Sequence, residues 1–136
     1  MKIHQYAILC APIMGQEAAI EALERGEESM LKMRREYELR RNYIVSGFND
    51  LGLECFKPRG AFYVFPKIAS TGLSSREFSL QLLREKKVAV VPGSAFGASG
   101  EGHVRCSYAT ALGQIKIAIE RIGEFCKGLG AAKAAA

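Results

Sequence analysis

Residues 88–109, VAVVPGSAFGASGEGHVRCSYA, read as a strand, a glycine-studded loop and a second strand carrying one arginine among small apolar neighbours. Strand side chains alternate between faces. Val104, Cys106 and Tyr108 therefore face one way, and His103, Arg105 and Ser107 the other. Arg105 is displayed, not packed. A guanidinium is planar and permanently charged, and it meets a carboxylate or phosphate through two parallel hydrogen bonds, so a rigid strand is a good mount for an anion clamp. The plainer alternative is an arginine on the solvated face of an antiparallel strand. The loop favours the clamp: Pro92-Gly93, Gly97, Gly100 and Gly102 permit tight turns and a close approach of backbone to ligand just before the arginine.

Working outward, residues 53–56 and 61–65 read as two strands joined across Lys57-Pro58-Arg59-Gly60, and the second is apolar on both faces, as in a buried strand. A helix follows. Ser74 with Glu77 three residues on forms a capping box, Phe78, Leu82 and Leu83 give the apolar face, and Lys86-Lys87 suit the C-terminal end. After the strands at 88–91 and 103–108, a last helix places Leu112, Ile115, Ile119, Ile122 and Cys126 on one stripe, ending at Gly128. The order is ββαββα, an α+β two-layer domain over residues 51–128, with a frayed tail at 129–136.

Residues 1–15, interrupted by Pro12 and without clear period, read as an extended arm. Residues 16–50 read as a long helix between domains, with Ile20, Leu23, Met30, Met33, Tyr37, Ile44 and Phe48 at helical steps and Gly26 bending or breaking it. Such a helix is roughly 50 Å long at about 1.5 Å per residue. A compact chain of this size is only ~37 Å across. Part of the helix must overhang, which calls for a partner surface from another domain or a second subunit.

At 136 residues, 49% hydrophobic and 24% charged, the composition is that of an ordinary globular domain. The net charge of +5 is spread over 32–41, 84–87 and the last helix. No zinc spacing, RNA-module signature or basic-aromatic stripe accompanies it, so nucleic acid is not an expected partner. Cys10, Cys55, Cys106 and Cys126 are widely spaced among apolar residues, and His4 and His103 are far apart, which points to buried reduced thiols and not to a disulfide frame or a metal site. With no secretion-signal pattern and no apolar run of spanning length, the expected location is cytoplasmic and no membrane contact is expected.

The string PGSAFGASGEGHVRCSYA resembles the PG-x-x-FG-x-x-G-x-G-x-x-R-x-S-x-A signature of fold-type I, pyridoxal-phosphate-dependent aminotransferases of class I/II, the aspartate aminotransferase-like family. Pro58-Arg59-Gly60-Ala61-Phe62-Tyr63-Val64-Phe65-Pro66 is similar to that family's P-x-GAFY-x-FP strand, and the polar helix with Met33, Tyr37 and Arg40-Arg41 resembles it too. The resemblance implies that Arg105 fixes the α-carboxylate of an amino-acid or 2-oxo-acid substrate, that Phe62 lines the substrate pocket, and that the 93–97 loop lies at its mouth. It places Gln5 and Tyr6 near a homodimer interface. It also implies a preceding large domain that supplies the Schiff-base lysine, the aspartate facing the pyridine nitrogen and most phosphate-binding groups. No catalytic, cofactor-binding or metal residue is assigned here, and no pyridoxal 5'-phosphate is expected on this chain alone. Ser29-Met30-Leu31-Lys32 fits a bare S-x-x-K, but without companion motifs and in mid-helix it reads as surface. The chain is therefore expected to be the small domain of an amino-acid aminotransferase, inactive by itself. The alternative is a free-standing, non-enzymatic amino-acid-binding or protein-interaction module.

Overall fold

The computed structural model describes residues 2–7 and 10–134, which fall into two compact units, residues 1–36 and 37–136. In the first unit, helix α1 spans Lys2–Ala7 where an extended arm was expected; positions 1, 8 and 9 of that arm lie outside the described residues. Helix α2, Ile13–Arg25, begins three residues before the expected start at 16. Pro12 is the reason. Its ring fixes φ, here −56°, and its carbonyl accepts the Gly15 and Gln16 amides at 2.9 and 3.2 Å, opening the first turn.

Helix α3, Glu27–Asp50, follows after the single residue Gly26. Gly26 keeps right-handed dihedrals, donates to the Ala22 carbonyl and accepts from the Met30 amide, both at 2.9 Å. A Cβ there would collide with the Ala22 carbonyl oxygen. The expected discontinuity is thus a tightened turn that only glycine fits, with helical hydrogen bonding on both sides.

The second unit is an α+β fold. Strands β1 (Tyr63–Val64), β2 (Val91–Pro92) and β3 (Val104–Ser107) form an antiparallel sheet in the order β1-β3-β2. Tyr63 lies opposite Ser107, Val64 opposite Cys106, and Val91 opposite Arg105; a lone bridge pairs Lys67 with His103. One face is packed. Val64, Val104 and Cys106, with Tyr108 just beyond β3, share a core with Ile44 and Phe48 of α3, Phe78 and Leu82 of α4 (Ser75–Lys86), and Ile115, Ile122 and Phe125 of α5 (Leu112–Ala134). Each such side chain contributes ~1.5–3 kcal/mol by leaving water.

The ββαββα expectation needs correction at its first strand, and the strand expected over 88–91 is displaced to Val91–Pro92. Residues 53–56 form none, because the Asn49 side chain occupies the peptide groups a neighbouring strand would use: Cys55 N–H donates to Asn49 Oδ1 at 2.9 Å, and Asn49 Nδ2 donates to Cys55 O at 3.2 Å. A single ladder-like bond, Lys67 N–H to Glu54 O at 2.8 Å, remains. The strand expected over 61–65 shrinks to two residues, and Ala61, at φ +60°, lies outside extended backbone at its N-terminal end. The capping box of α4 forms as read, with Ser74 and Glu77 bonding reciprocally. Helix α5 does not end at Gly128; it runs on to Ala134 through the helix-favouring alanines of the expected tail. Positions 135–136 of that tail lie outside the described residues.

Candidate functional site

The sheet's second face carries the site. Strand alternation turns Val104 and Cys106 into the core and leaves Arg105 half-buried and Ser107 exposed on the other side. Tyr63, Ala89, Val90, Val91, Arg105 and Ser107 line a shallow depression of about 170 Å³. The Arg105 guanidinium carbon lies 4.3 Å from the centroid of the Tyr63 ring and 4.7 Å from that of Phe96. A cation against an aromatic face is worth ~0.5–1 kcal/mol when exposed and ~2 when desolvated. The rings use none of the guanidinium's N–H donors in ordinary hydrogen bonds. Among the described residues no carboxylate pairs with Arg105 and no acceptor takes its hydrogen bonds. Arg41, by contrast, is engaged by Glu38 at 3.0 Å and by the Pro58 carbonyl at 3.4 Å. The site thus holds a fixed cation whose edge is free for a planar anion.

The glycine loop brings Phe96 there. It folds as two 3-10 turns, Gly93–Phe96 and Ala98–Gly100, and its ends cross so closely that a Cβ on Gly93 would strike the Gly100 carbonyl oxygen, and one on Gly100 the Gly93 oxygen. Gly93 N–H donates to His103 O at 2.9 Å, and His103 N–H to Gly100 O at 3.2 Å. Glu101 then ties the loop to α4: its carboxylate accepts the Ser75 amide at 2.7 Å, the Ser75 hydroxyl at 2.8 Å and the Gly102 amide at 3.1 Å. The Ser94 amide donates to Ser75 Oγ at 3.3 Å. Bonds from the Ser75 amide and hydroxyl, then from Gly102, hold the Glu101 carboxyl below the usual carboxylate range. The loop expected at the mouth of the site is a braced structure.

Phe62 joins through Tyr63. Its ring is 42% exposed, 4.6 Å from the Tyr63 ring centroid and 6.4 Å from that of Tyr37, so it is not a core residue. The preceding Ala61 sits in the left-handed region, a conformation L-residues avoid at a cost of about 1 kcal/mol or more. Tyr108 sustains it: the buried hydroxyl donates to Ala61 O at 2.8 Å, and the Tyr108 amide to Phe62 O at 2.9 Å. Burial pushes the Tyr108 hydroxyl above its ordinary pKa, so it stays a donor across the working pH range.

Sequence reasoning names Arg105 and Phe62, of which Arg105 lines the depression and Phe62, beside Tyr63, does not; it misses Tyr63, Phe96, Ser75 and Glu101. Tyr63 was within reach, since antiparallel pairing puts it on the Arg105 face. Ser75 and Glu101 lie 26 residues apart and carry no shared motif. Burial raises Cys55 to about 11 and pushes Cys106 and Cys126 up as well, whereas Cys10 is exposed, against the expectation of four buried thiols. Ser29 and Lys32 are both exposed on α3. Among the described residues, no group of His, Cys, Asp and Glu could hold a metal, and no helix is long and apolar enough to cross a membrane. The depression's lining offers neither an amine to condense with an aldehyde cofactor nor an acid to face a ring nitrogen. It does not by itself fit pyridoxal phosphate; the one charged group in its lining is the Arg105 guanidinium.

The sequence profile for "Aminotransferase class I and II" matches residues 2–122, so the chain belongs to that family. It is 54% identical over 125 residues to YugH of Bacillus subtilis, a provisionally assigned aminotransferase, covering 92% of this chain and 32% of that protein. It is 48% identical to an aromatic-amino-acid aminotransferase of Thermococcus litoralis over 93% of this chain and 33% of the relative. The crystal structure of an aromatic aminotransferase from Pyrococcus horikoshii superposes with a TM-score of 0.80 at 49% identity, over 83% of this chain and 31% of that one. The chain spans about a third of the length of the curated relatives it matches.

Proposed function

We propose that this chain works as the C-terminal, small-domain part of an amino-acid aminotransferase, with residues 51–128 as that domain and Arg105 binding the α-carboxylate of the amino-acid or 2-oxo-acid substrate. The observation that carries the proposal is a half-buried guanidinium held by two rings beside an open depression, with no carboxylate partner among the described residues. A two-point grip on a carboxylate fixes the orientation of the substrate's Cα, which is what a reaction at that carbon needs. Phe62, half exposed and in ring contact with Tyr63, is assigned to the substrate pocket of the whole protein, although it is not in the lining of this depression. Pyridoxal phosphate, which members of the family use as an electron sink, is held by groups outside this chain, and the chain alone does not transaminate. The family's homodimer and a cytoplasmic location complete this reading.

The test uses the full-length protein containing this chain, loaded with pyridoxal phosphate and assayed with each of the twenty amino acids against 2-oxoglutarate. Arg105→Lys keeps charge and loses the planar fork, so KM for both substrates should rise about tenfold or more while the cofactor's absorbance stays as in the parent. Unchanged substrate kinetics in that variant refute the clamp. The 136-residue chain mixed with pyridoxal phosphate should give no spectrum that amino acids convert. A saturable, amino-acid-responsive spectrum would show that the chain carries its own cofactor lysine.

A further inference from the structure

We propose that Phe96 is a positioning residue of the Arg105 clamp, holding the guanidinium by its π surface so that every edge donor stays available to the substrate carboxylate. The inference rests on the clamp reading above and adds to it the device that aims the arginine. An arginine side chain has about 2 kcal/mol of rotamer entropy to lose. Most arginines lose it to a carboxylate or carbonyl, which consumes the donors a ligand needs. Arg105 is instead set against two rings, one delivered from each strand flanking β3: Tyr63 from β1, and Phe96 from the loop after β2.

The two rings are fixed differently. Tyr63 is locked by the ladder opposite Ser107. Phe96 depends on its loop, and that loop is braced by the Gly93–Gly100 crossing and by the Glu101 carboxylate on Ser75. A third brace is aromatic: Phe65 meets Phe96 edge-on at 6.0 Å and stacks on His103 at 5.4 Å with a 9° interplanar angle. Phe96 is 49% exposed, so little core packing explains a large apolar ring in a loop of Gly, Ser and Ala. Its described aromatic and cationic neighbours are Phe65 and Arg105.

A ring that only fills space can be replaced by leucine, and one that orients a cation cannot. In the full-length, pyridoxal-phosphate-loaded protein, Phe96→Leu and Phe96→Ala should each raise KM for the best amino donor and for 2-oxoglutarate by about three- to tenfold, with kcat within about twofold. Acetate, a probe that offers the carboxylate alone, should lose potency as a competitive inhibitor by the same factor. Phe96→Tyr should restore both constants to within about twofold. If Phe96→Leu keeps parental KM and acetate inhibition while Arg105→Lys loses them, the positioning role is overturned and the clamp stands. If Arg105→Lys also leaves both unchanged, the clamp itself falls. A Phe96→Leu defect confined to kcat, or one that Phe96→Tyr fails to repair, overturns the proposal as well.

Discussion

Removing one oxygen, in Tyr108→Phe, tests the strained corner beside the site. The hydroxyl donates to the Ala61 carbonyl at 2.8 Å while Ala61 is held at φ +60°. A hydrogen bond of this kind contributes ~1 kcal/mol net, and the left-handed conformation costs about the same, so the bond and the strain nearly balance. Without the hydroxyl, the carbonyl of exposed Ala61 turns to water and the unit should lose ~1–1.5 kcal/mol, a fall of about 4–8 °C in Tm per kcal/mol for a unit near this size. The assay is urea unfolding of the full chain, where the midpoint should drop at constant m. In the Tyr108→Phe background, Ala61→Gly removes the Cβ penalty and should recover about half of the loss. A Tyr108→Phe protein within ~0.3 kcal/mol of the parent would show that the hydroxyl does not sustain the turn.

Gly100→Ala drives a Cβ into the Gly93 carbonyl oxygen, backbone against backbone, and should cost at least ~2 kcal/mol in the same urea assay; a variant as stable as the parent would refute the crossing. Lys87 ends α4 in the left-handed region at φ +57°, so Lys87→Gly should stabilise by ~0.5–1 kcal/mol, and a lower midpoint would count against strain at that cap. Glu101, bonded by Ser75, Glu77, bonded by Ser74, and Glu124, bonded by Lys86, all titrate below the ordinary 4.5 in the folded state. Between their folded and unfolded pKa values the unfolded chain binds more protons, so their stabilisation is present above about 4.5 and is lost as pH falls below it. Urea midpoints should therefore fall on going from pH 6 to pH 4, less steeply in Glu101→Gln; identical slopes would remove Glu101 from the account.

The alternation of 103–108 was readable because β3 buries one face, and each odd residue was forced to the other. The α4 cap and the α5 stripe were readable because their signals are local. The strand at 53–56 looked sound by composition, yet Asn49, four residues upstream of that run, takes both peptide groups of Cys55 and leaves no ladder to join. Nothing around Ala61 announces a positive φ, since alanine seldom adopts one; the hydroxyl that bonds its carbonyl belongs to Tyr108, 47 residues away. The Glu101–Ser75 tie is equally non-local. Arg105 was legible as displayed. What fixes it was not, because its two rings reach it through sheet pairing and a loop crossing that no local pattern encodes.

Local propensity loses to tertiary demand at a few points, and several lie in the segments leading into β1 and out of β2, the two strands that flank β3. Ala61 takes a conformation that costs energy, two glycine backbones cross where no other residue fits, and a carboxylate is spent on the first turn of α4 when solvent would have served it. Each choice lies in a segment that delivers a side chain to the Arg105 face: Ala61 precedes Phe62 and Tyr63, and the crossing and the Glu101 tie bracket Phe96. A fold selected for stability alone would relax them, as Lys87→Gly is expected to relax the end of α4. Arg105 itself follows the same logic. A neighbouring glutamate would neutralise the cation, but it would also occupy the fork that a ligand has to enter, whereas aromatic rings hold the cation and leave the fork empty. Strain in the segments that carry Tyr63 and Phe96 to a guanidinium with no carboxylate partner among the described residues is what the proposed clamp would cost a small domain.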